Sequence, residues 1–286
     1  MRIALCFHGI AEGENIHPAE GGSVLVSFEQ CAPYFYKNII NANDNVDVFV
    51  HTWSGHSEEQ IEHIYNPVLS EYQKPIYPNF KHPYEHFNFD PNIQKKMQSV
   101  YSRWYSFKKV IELKKQHERE NNFFYDCVVV CRFDLVFYRP IIFSHLDMDK
   151  FYVSNWHYNW TQNKKFFGYP DCWFFSNTDT IDKFAALYEK LDEYMIDGGE
   201  YEDFIINQVG EPYPAKVSSH ALARWHLYKC GLIKKERFLG LEYETWSLLR
   251  KSHLKGSNPY RGFFDQFYED YDIPMDCRDH SRSQIE

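Results

Sequence analysis

The chain has 286 residues, 44% hydrophobic and 25% charged, a globular balance at a length that suits one large α/β domain or a domain with an extension. A formal net charge of −9, without any strongly basic tract, argues against a nucleic-acid binder, which needs a clustered positive surface. The opening Met-Arg-Ile-Ala-Leu-Cys-Phe-His-Gly turns polar too soon for a secretory signal, and no apolar run is long enough to span a bilayer; the expectation is a cytoplasmic protein.

Arg2 to Phe7 reads as a first strand ending in His8-Gly9, followed by a polar loop from Ile10 to Ser23. Val24 to Ile40 reads as a helix with Ser23 at its N-cap, broken by the polar run Asn41 to Asn45. Val46 to Val50 is a second strand leading into His51-Thr52-Trp53, with a helix near Glu58 to Tyr65 and a short third strand at Lys74 to Tyr77. Tyr77 to Pro91, rich in proline and aromatic residues, is a loop suited to covering a site. Met97, Val100, Trp104, Phe107 and Ile111 recur at helical spacing, and the charged run Lys114 to Glu120 then leads that helix out to solvent.

Strands are expected again at Val128 to Val130, Phe151 to Ser154 and Asp171 to Ser176. Helices are expected at Thr180 to Ile196 and at Glu200 to Val209, the latter acidic in its first turn as the helix dipole favours. Ser218 to Tyr228 and Gly240 to Arg250 read as weaker helices, and Lys251 to Glu286 as a polar, aromatic wrap over the surface. This alternation predicts a mostly parallel central sheet with helices on both faces.

The 22 Tyr and 24 Phe fill a core or line a groove for sugars, whose C–H faces stack on rings. The cysteines, Cys6, Cys31, Cys127, Cys131, Cys172, Cys230 and Cys277, are scattered and odd in number, which suits free thiols in a reducing compartment. Cys127 and Cys131 lie within a strand and do not form a zinc knuckle. Asn159-Trp160-Thr161 matches a glycosylation acceptor but, without a secretory signal, reads as a chance match.

The chemistry concentrates after Val128-Val129-Val130. This β-branched run, suited to a strand buried on both faces, continues directly into Arg132 and Asp134. Two apart in extended chain, these side chains project to the same side, and charges at the end of a core strand need partners. A divalent metal and a phosphorylated ligand are the expected ones, since ligands of open α/β sheets collect outside the strands' carboxyl ends. A Gly-x-Gly-x-x-Gly turn, a P-loop and a Gly-x-Ser-x-Gly elbow are all missing. One different strategy is a strand-end aspartate holding Mn²⁺ or Mg²⁺, which would neutralise the charge growing on a departing diphosphate with help from a nearby arginine.

The series DVFVHTW, SRWYSFKKVIELKKQ, YDCVVVCRFDLVF, DCWFFSN and EYEDFIINQ resembles glycosyltransferases of the GT-A fold, over roughly residues 1 to 210. The resemblance is to enzymes that build capsular, lipopolysaccharide or large-virus surface glycans. It implies a GT-A-like domain over residues 1–215, with an extension over 216–286 packed on it, a nucleotide diphosphate-sugar donor and a glycan acceptor. The Asp-x-Asp signature of this class reads Arg132-Phe133-Asp134 here, so the first carboxylate is missing. Asp134 then holds the metal with a second ligand such as His220 or His226, or the enzyme works without metal.

The same resemblance places His8, Gly9 and His51 with Arg132 and Asp134 at the donor, with Trp53 at the same rim. It implies a sugar contact or catalytic base at Glu202 or Asp203; Asp171, next to Pro170 and ahead of an aromatic strand, is a candidate to bind sugar hydroxyls or to serve as the base instead. Inversion of the sugar carbon is the expectation, with retention the alternative. Glu202 and Asp203 also suit a helix start with no further role, and Trp173 is either a sugar-stacking acceptor residue or core. A non-catalytic glycan-binding module and a sugar nucleotidyltransferase are the alternatives.

Overall fold

The computed structural model describes residues 1–17, 22–75, 91–155, 168–209, 215–241 and 245–249. The strands in chain order are β1 (Ile3–Gly9), β2 (Glu12–His17), β3 (Gly22–Ser27), β4 (Val46–Thr52), β5 (Leu69–Tyr72), β6 (Cys127–Arg132), β7 (Leu135–Phe137), β8 (Phe151–Asn155), β9 (Trp173–Ser176), β10 (Glu236–Leu241) and β11 (Trp246–Leu248). The α-helices are α1 (Phe28–Phe35), α2 (Glu58–Tyr65), α3 (Pro91–Asn121), α4 (Thr178–Phe184), α5 (Leu187–Tyr194), α6 (Glu200–Val209) and α7 (Ser219–Lys229). No helix among the described residues is long and apolar enough to cross a membrane.

Seven strands form one sheet in the order β10-β8-β9-β6-β1-β4-β5. It is mostly parallel, as expected; β9 alone runs antiparallel, against both β6 and β8. The chain builds outward from β1 through β4 to β5, returns along α3, and lays β6 on the other side of β1. Strand order therefore reverses between β1 and β6, the kind of switch point where open α/β sheets leave a crevice at their carboxyl ends.

Strand alternation sorts the two faces. Ile3, Leu5 and Phe7 join Cys127, Val129 and Cys131 in a core with α1 and α2, whereas Ala4, Cys6, Val128 and Val130 pack under α3 to α7. Among the described cysteines, Cys6, Cys31, Cys127, Cys131 and Cys172 are buried and Cys230 is half-buried.

Several expected elements differ. The loop expected at Ile10 to Ser23 contains β2 and most of the expected first helix turn is β3, the two strands pairing antiparallel; α1 starts only at Phe28. Val24-Leu25-Val26 is favourable strand sequence, and period alone does not separate so short an apolar run from helix. The third strand is β5, ahead of Lys74 to Tyr77; Pro75 has no N–H for a ladder. The helix expected over Thr180 to Ile196 is two, α4 and α5, and Asn177 caps the first by accepting from Thr180 N at 3.0 Å. Gly240 to Arg250 contributes strand, not helix: β10 completes the sheet edge and β11 pairs with β7. Asn159 to Thr161, most of Tyr77 to Pro91, Cys277 and the segment from Lys251 onward lie outside the described residues.

The charged end of α3 does not lead out to solvent. Lys114 and Glu118 are 0% and 4% exposed, continuing the buried stripe of Phe107, Val110 and Ile111. Lys114 Nζ reaches Glu118 Oε2 at 3.0 Å, Asp182 Oδ1 at 2.8 Å and Thr178 Oγ1 at 2.5 Å. Glu118 Oε1 accepts from Tyr125 N and the Thr178 hydroxyl, so the pair ties α3 to the start of β6 and to α4. Lys114→Met leaves that carboxylate buried with its cation gone, an expected loss of about 3–5 kcal/mol. Urea unfolding of Lys114→Met, Glu118→Gln and the double variant checks this; a double variant as destabilised as the two singles added together would refute the coupling.

Candidate active site

The carboxyl ends of β1, β4 and β6 lie level: His8 pairs in register with both His51 and Arg132. The antiparallel β9 brings its amino end to the same place, where Arg132 N donates to Cys172 O at 3.1 Å. Across them lies one turn of α3 carrying Arg103, Ser106 and Phe107. Ser106 fastens the turn down: its hydroxyl oxygen accepts from Gly9 N at 2.8 Å and sits 2.6 Å from His51 Nδ1. Gly9 has φ +99°, a left-handed conformation open to glycine, where β1 turns away from the sheet.

Two guanidinium–carboxylate pairs stand at this end. Arg132 donates from Nε to Asp134 Oδ1 at 2.8 Å and from Nη2 to Oδ2 at 2.5 Å, a two-pronged fork. Asp134 follows β6 in the turn before β7, is 1% exposed, and its carbonyl accepts from Leu249 N. Arg103 Nε lies 2.8 Å from Asp171 Oδ2, with both side chains nearly buried. His220, at the start of α7, places Nδ1 2.7 Å from Tyr169 O and 3.6 Å from Asp171 Oδ1. Gly168 makes that approach possible, since a Cβ there would lie 2.5 Å from the His220 carbonyl carbon.

The charges respond to one another. Burial alone would weaken the Arg132 cation, but the Asp134 carboxylate, aided by Asp171, reverses this and raises its pKa. Burial pushes Asp171 up, but Arg103, His220 and Arg132 outweigh it and hold the carboxyl well below the usual carboxylate range. His8 is 1% exposed and stays neutral, because burial and then Arg103 and Arg132 oppose its protonation. Among the described residues, neither ring nitrogen of His8 nor Arg103 Nη2 has a hydrogen-bond partner, and all three atoms are buried.

Of the residues singled out from the sequence, the structure thus gathers His8, Gly9, His51, Arg132, Asp134, Asp171 and His220. It does not bring Trp173, Glu202 or Asp203 to them. Trp173 is core: it is 2% exposed, stacks on Phe175 and meets Trp246 edge-on, within the cluster on the α1–α2 face. Glu202 Oε2 accepts from Gly198 N at 2.7 Å and from Lys216 Nζ at 2.8 Å, so the carboxyl is lowered and serves the start of α6. Asp203 is exposed on that helix. His226 is buried in α7, where its Nδ1 lies 2.8 Å from Tyr194 Oη. Trp53 stacks on Tyr105 beside His51.

A divalent metal on Asp134 and His220 fits this donor set poorly. Both Asp134 oxygens already accept from a guanidinium, and Asp171, the other carboxylate described at this end of the sheet, faces another. A dication would have to break a charge-assisted fork and sit against two fixed cations. His220 turns its Nδ1 to Tyr169 O and Asp171.

Arg103 and Ser106 are the side chains at this end of the sheet that sequence reasoning missed. Arg103 lies three residues after Val100 and four before Phe107, so a cation stands beside the apolar stripe instead of opposite it; that spacing was the available signal. No family model matches the chain, and no curated protein matches it either.

Proposed function

We propose that the protein is a GT-A-type glycosyltransferase that moves a sugar from a nucleotide diphosphate donor to a hydroxyl of a glycan. The observation that carries this reading is the Arg132–Asp134 fork at the reversal of strand order, with Arg103–Asp171 beside it. Burying two ion pairs is costly and adds little to stability, so their retention at a ligand-binding edge favours a charged substrate. A module that only stacks on neutral glycans has no use for them there.

In such a transfer, the bond from the anomeric carbon to the phosphate oxygen breaks and its electrons leave with the diphosphate. The acceptor oxygen bonds the same carbon and gives up its proton. The guanidiniums stabilise the charge growing on the leaving group. Asp171 is the one of the three expected bases that lies at this end of the sheet, but its ion pair with Arg103 sets it beside the leaving group, so the acceptor proton passes to water. A hydroxyl adding to a cation-like sugar carbon is strongly acidified, so even so weak a base suffices. A single displacement from the opposite face inverts the carbon.

The test is thermal unfolding of the full chain with a panel of nucleotide diphosphate-sugars, with and without Mn²⁺. The matching donor, at about 100 times its Kd, should raise Tm by roughly 5 °C or more. A chain that none of them stabilises, but that a glycan array retains, is a binding module. One stabilised only by a nucleoside triphosphate is a nucleotidyltransferase.

A further inference from the structure

At the carboxyl ends of β1 and β6 the hydrogen-bonding inventory is unbalanced towards donors. Among the described residues Arg103 Nη2 and both nitrogens of His8 are buried without hydrogen-bond partners, and a neutral imidazole always carries one N–H. Arg132 spends two of its five N–H donors on Asp134. The two carboxylates are engaged by the guanidiniums, so acceptors are what the cluster lacks. Buried donors left without acceptors are rare in folded proteins and call for an explanation. A ligand rich in oxygen acceptors and carrying negative charge supplies one.

We infer that Arg103, Arg132 and His8 together form a metal-independent site for the diphosphate of the substrate, with Asp134 and Asp171 acting as the struts that aim the two guanidiniums. This rests on the donor reading above and deepens it. It moves Asp134 from metal ligand to positioning residue: its fork fixes the plane of Arg132 and leaves the remaining N–H donors of that guanidinium for phosphate oxygens. Arg103 arrives from α3 at the same end of the sheet, and its charge interacts with those of Arg132, Asp134 and Asp171. Two fixed cations then do what a bridging dication does elsewhere, neutralising the charge of a diphosphate. His8, uncharged between them, donates one hydrogen bond without adding a third positive charge to be buried.

The experiment is calorimetric titration of the full chain with UDP and with inorganic pyrophosphate, in excess EDTA and then in Mn²⁺. Binding in EDTA is expected, with an affinity that Mn²⁺ leaves within about threefold and that falls as salt rises. Arg132→Lys and Arg103→Lys keep the buried charge but not the planar guanidinium, and each should weaken UDP binding about tenfold or more. His8→Phe should weaken it less than either. Binding of UDP or pyrophosphate only with Mn²⁺ would overturn the metal-independent site and leave the transferase reading intact. Metal-free binding that neither lysine variant alters would overturn the assignment of the arginines. Failure of both probes, and of every nucleotide sugar, with and without Mn²⁺ would overturn this site and the donor reading together.

Discussion

Asp134→Asn is expected to cut sugar transfer about a hundredfold or more, the usual cost of losing one oriented group that stabilises developing charge, while the chain still unfolds cooperatively. Asparagine fills the same space but offers one acceptor where the carboxylate offers two, and its amide hydrogens face a cation. Arg132 then loses half of its fork and the charge that balances it. Breaking a buried pair costs roughly 3–5 kcal/mol, and that figure is an upper limit here because the Arg132 side chain keeps 17% exposure. Circular dichroism melts set the temperature at which rates are compared.

The metal response separates the two roles open to Asp134. Removing a ligand raises the Mn²⁺ concentration needed for half the maximal rate, whereas removing a strut lowers the rate at every Mn²⁺ concentration alike. A positioning role also predicts a kcat loss larger than the change in KM, because a misaimed guanidinium fails chiefly where charge develops. Undiminished turnover in the asparagine variant would take Asp134 out of the mechanism altogether.

That residue was legible in the sequence because its strand is. Val128 to Val130 form a run buried on both faces, and a charged pair at the end of such a run stands out against it. The next two strands across the sheet, β1 and β4, also carry buried apolar runs that end at a histidine, so the sheet's centre could be read from local pattern. Its edges could not. Leu69 to Tyr72 is half-buried, with no run of apolar residues to mark it, and β10 and β11 become strands through the neighbours they pair with.

Charge misled in a similar way. Lys114 and Glu118 look like a solvated helix end until Thr178 and Asp182 close over them, 64 and 68 residues along the chain from Lys114. Arg103 was passed over because a helical pattern shows which side faces the core but not what stands across from its border. Glu202 was singled out for its place at a helix start, and the partner that explains it, Lys216, is fixed only by tertiary structure.

Stability is expected to fall steeply on mild acidification, and the cause lies in three buried histidines. His8 and His226 are 1% exposed and His51 is 0%. Burial lowers His51 and His226 to about 4, and burial with Arg103 and Arg132 holds His8 well below its ordinary value. In the unfolded chain each titrates near its usual value of about 6.5. Below that pH the unfolded state binds protons that the folded state refuses, so the stability present above it is lost as pH falls. Near pH 5 almost three protons separate the states, a slope of about 3–4 kcal/mol per pH unit, and going from pH 6.5 to 5 removes roughly 5 kcal/mol. A domain holding 5–15 kcal/mol in all has little left after that. Asp171 adds to the loss only further down, because its folded value lies below that of a free carboxyl near 3.9. Urea midpoints at pH 7.5, 6.5 and 5 measure the slope. His226→Gln, remote from the substrate groups, should reduce it by about a third near pH 5. A flat profile between pH 6.5 and 5 would mean that these rings take up protons in the folded chain, and His8 would then carry charge between the two arginines.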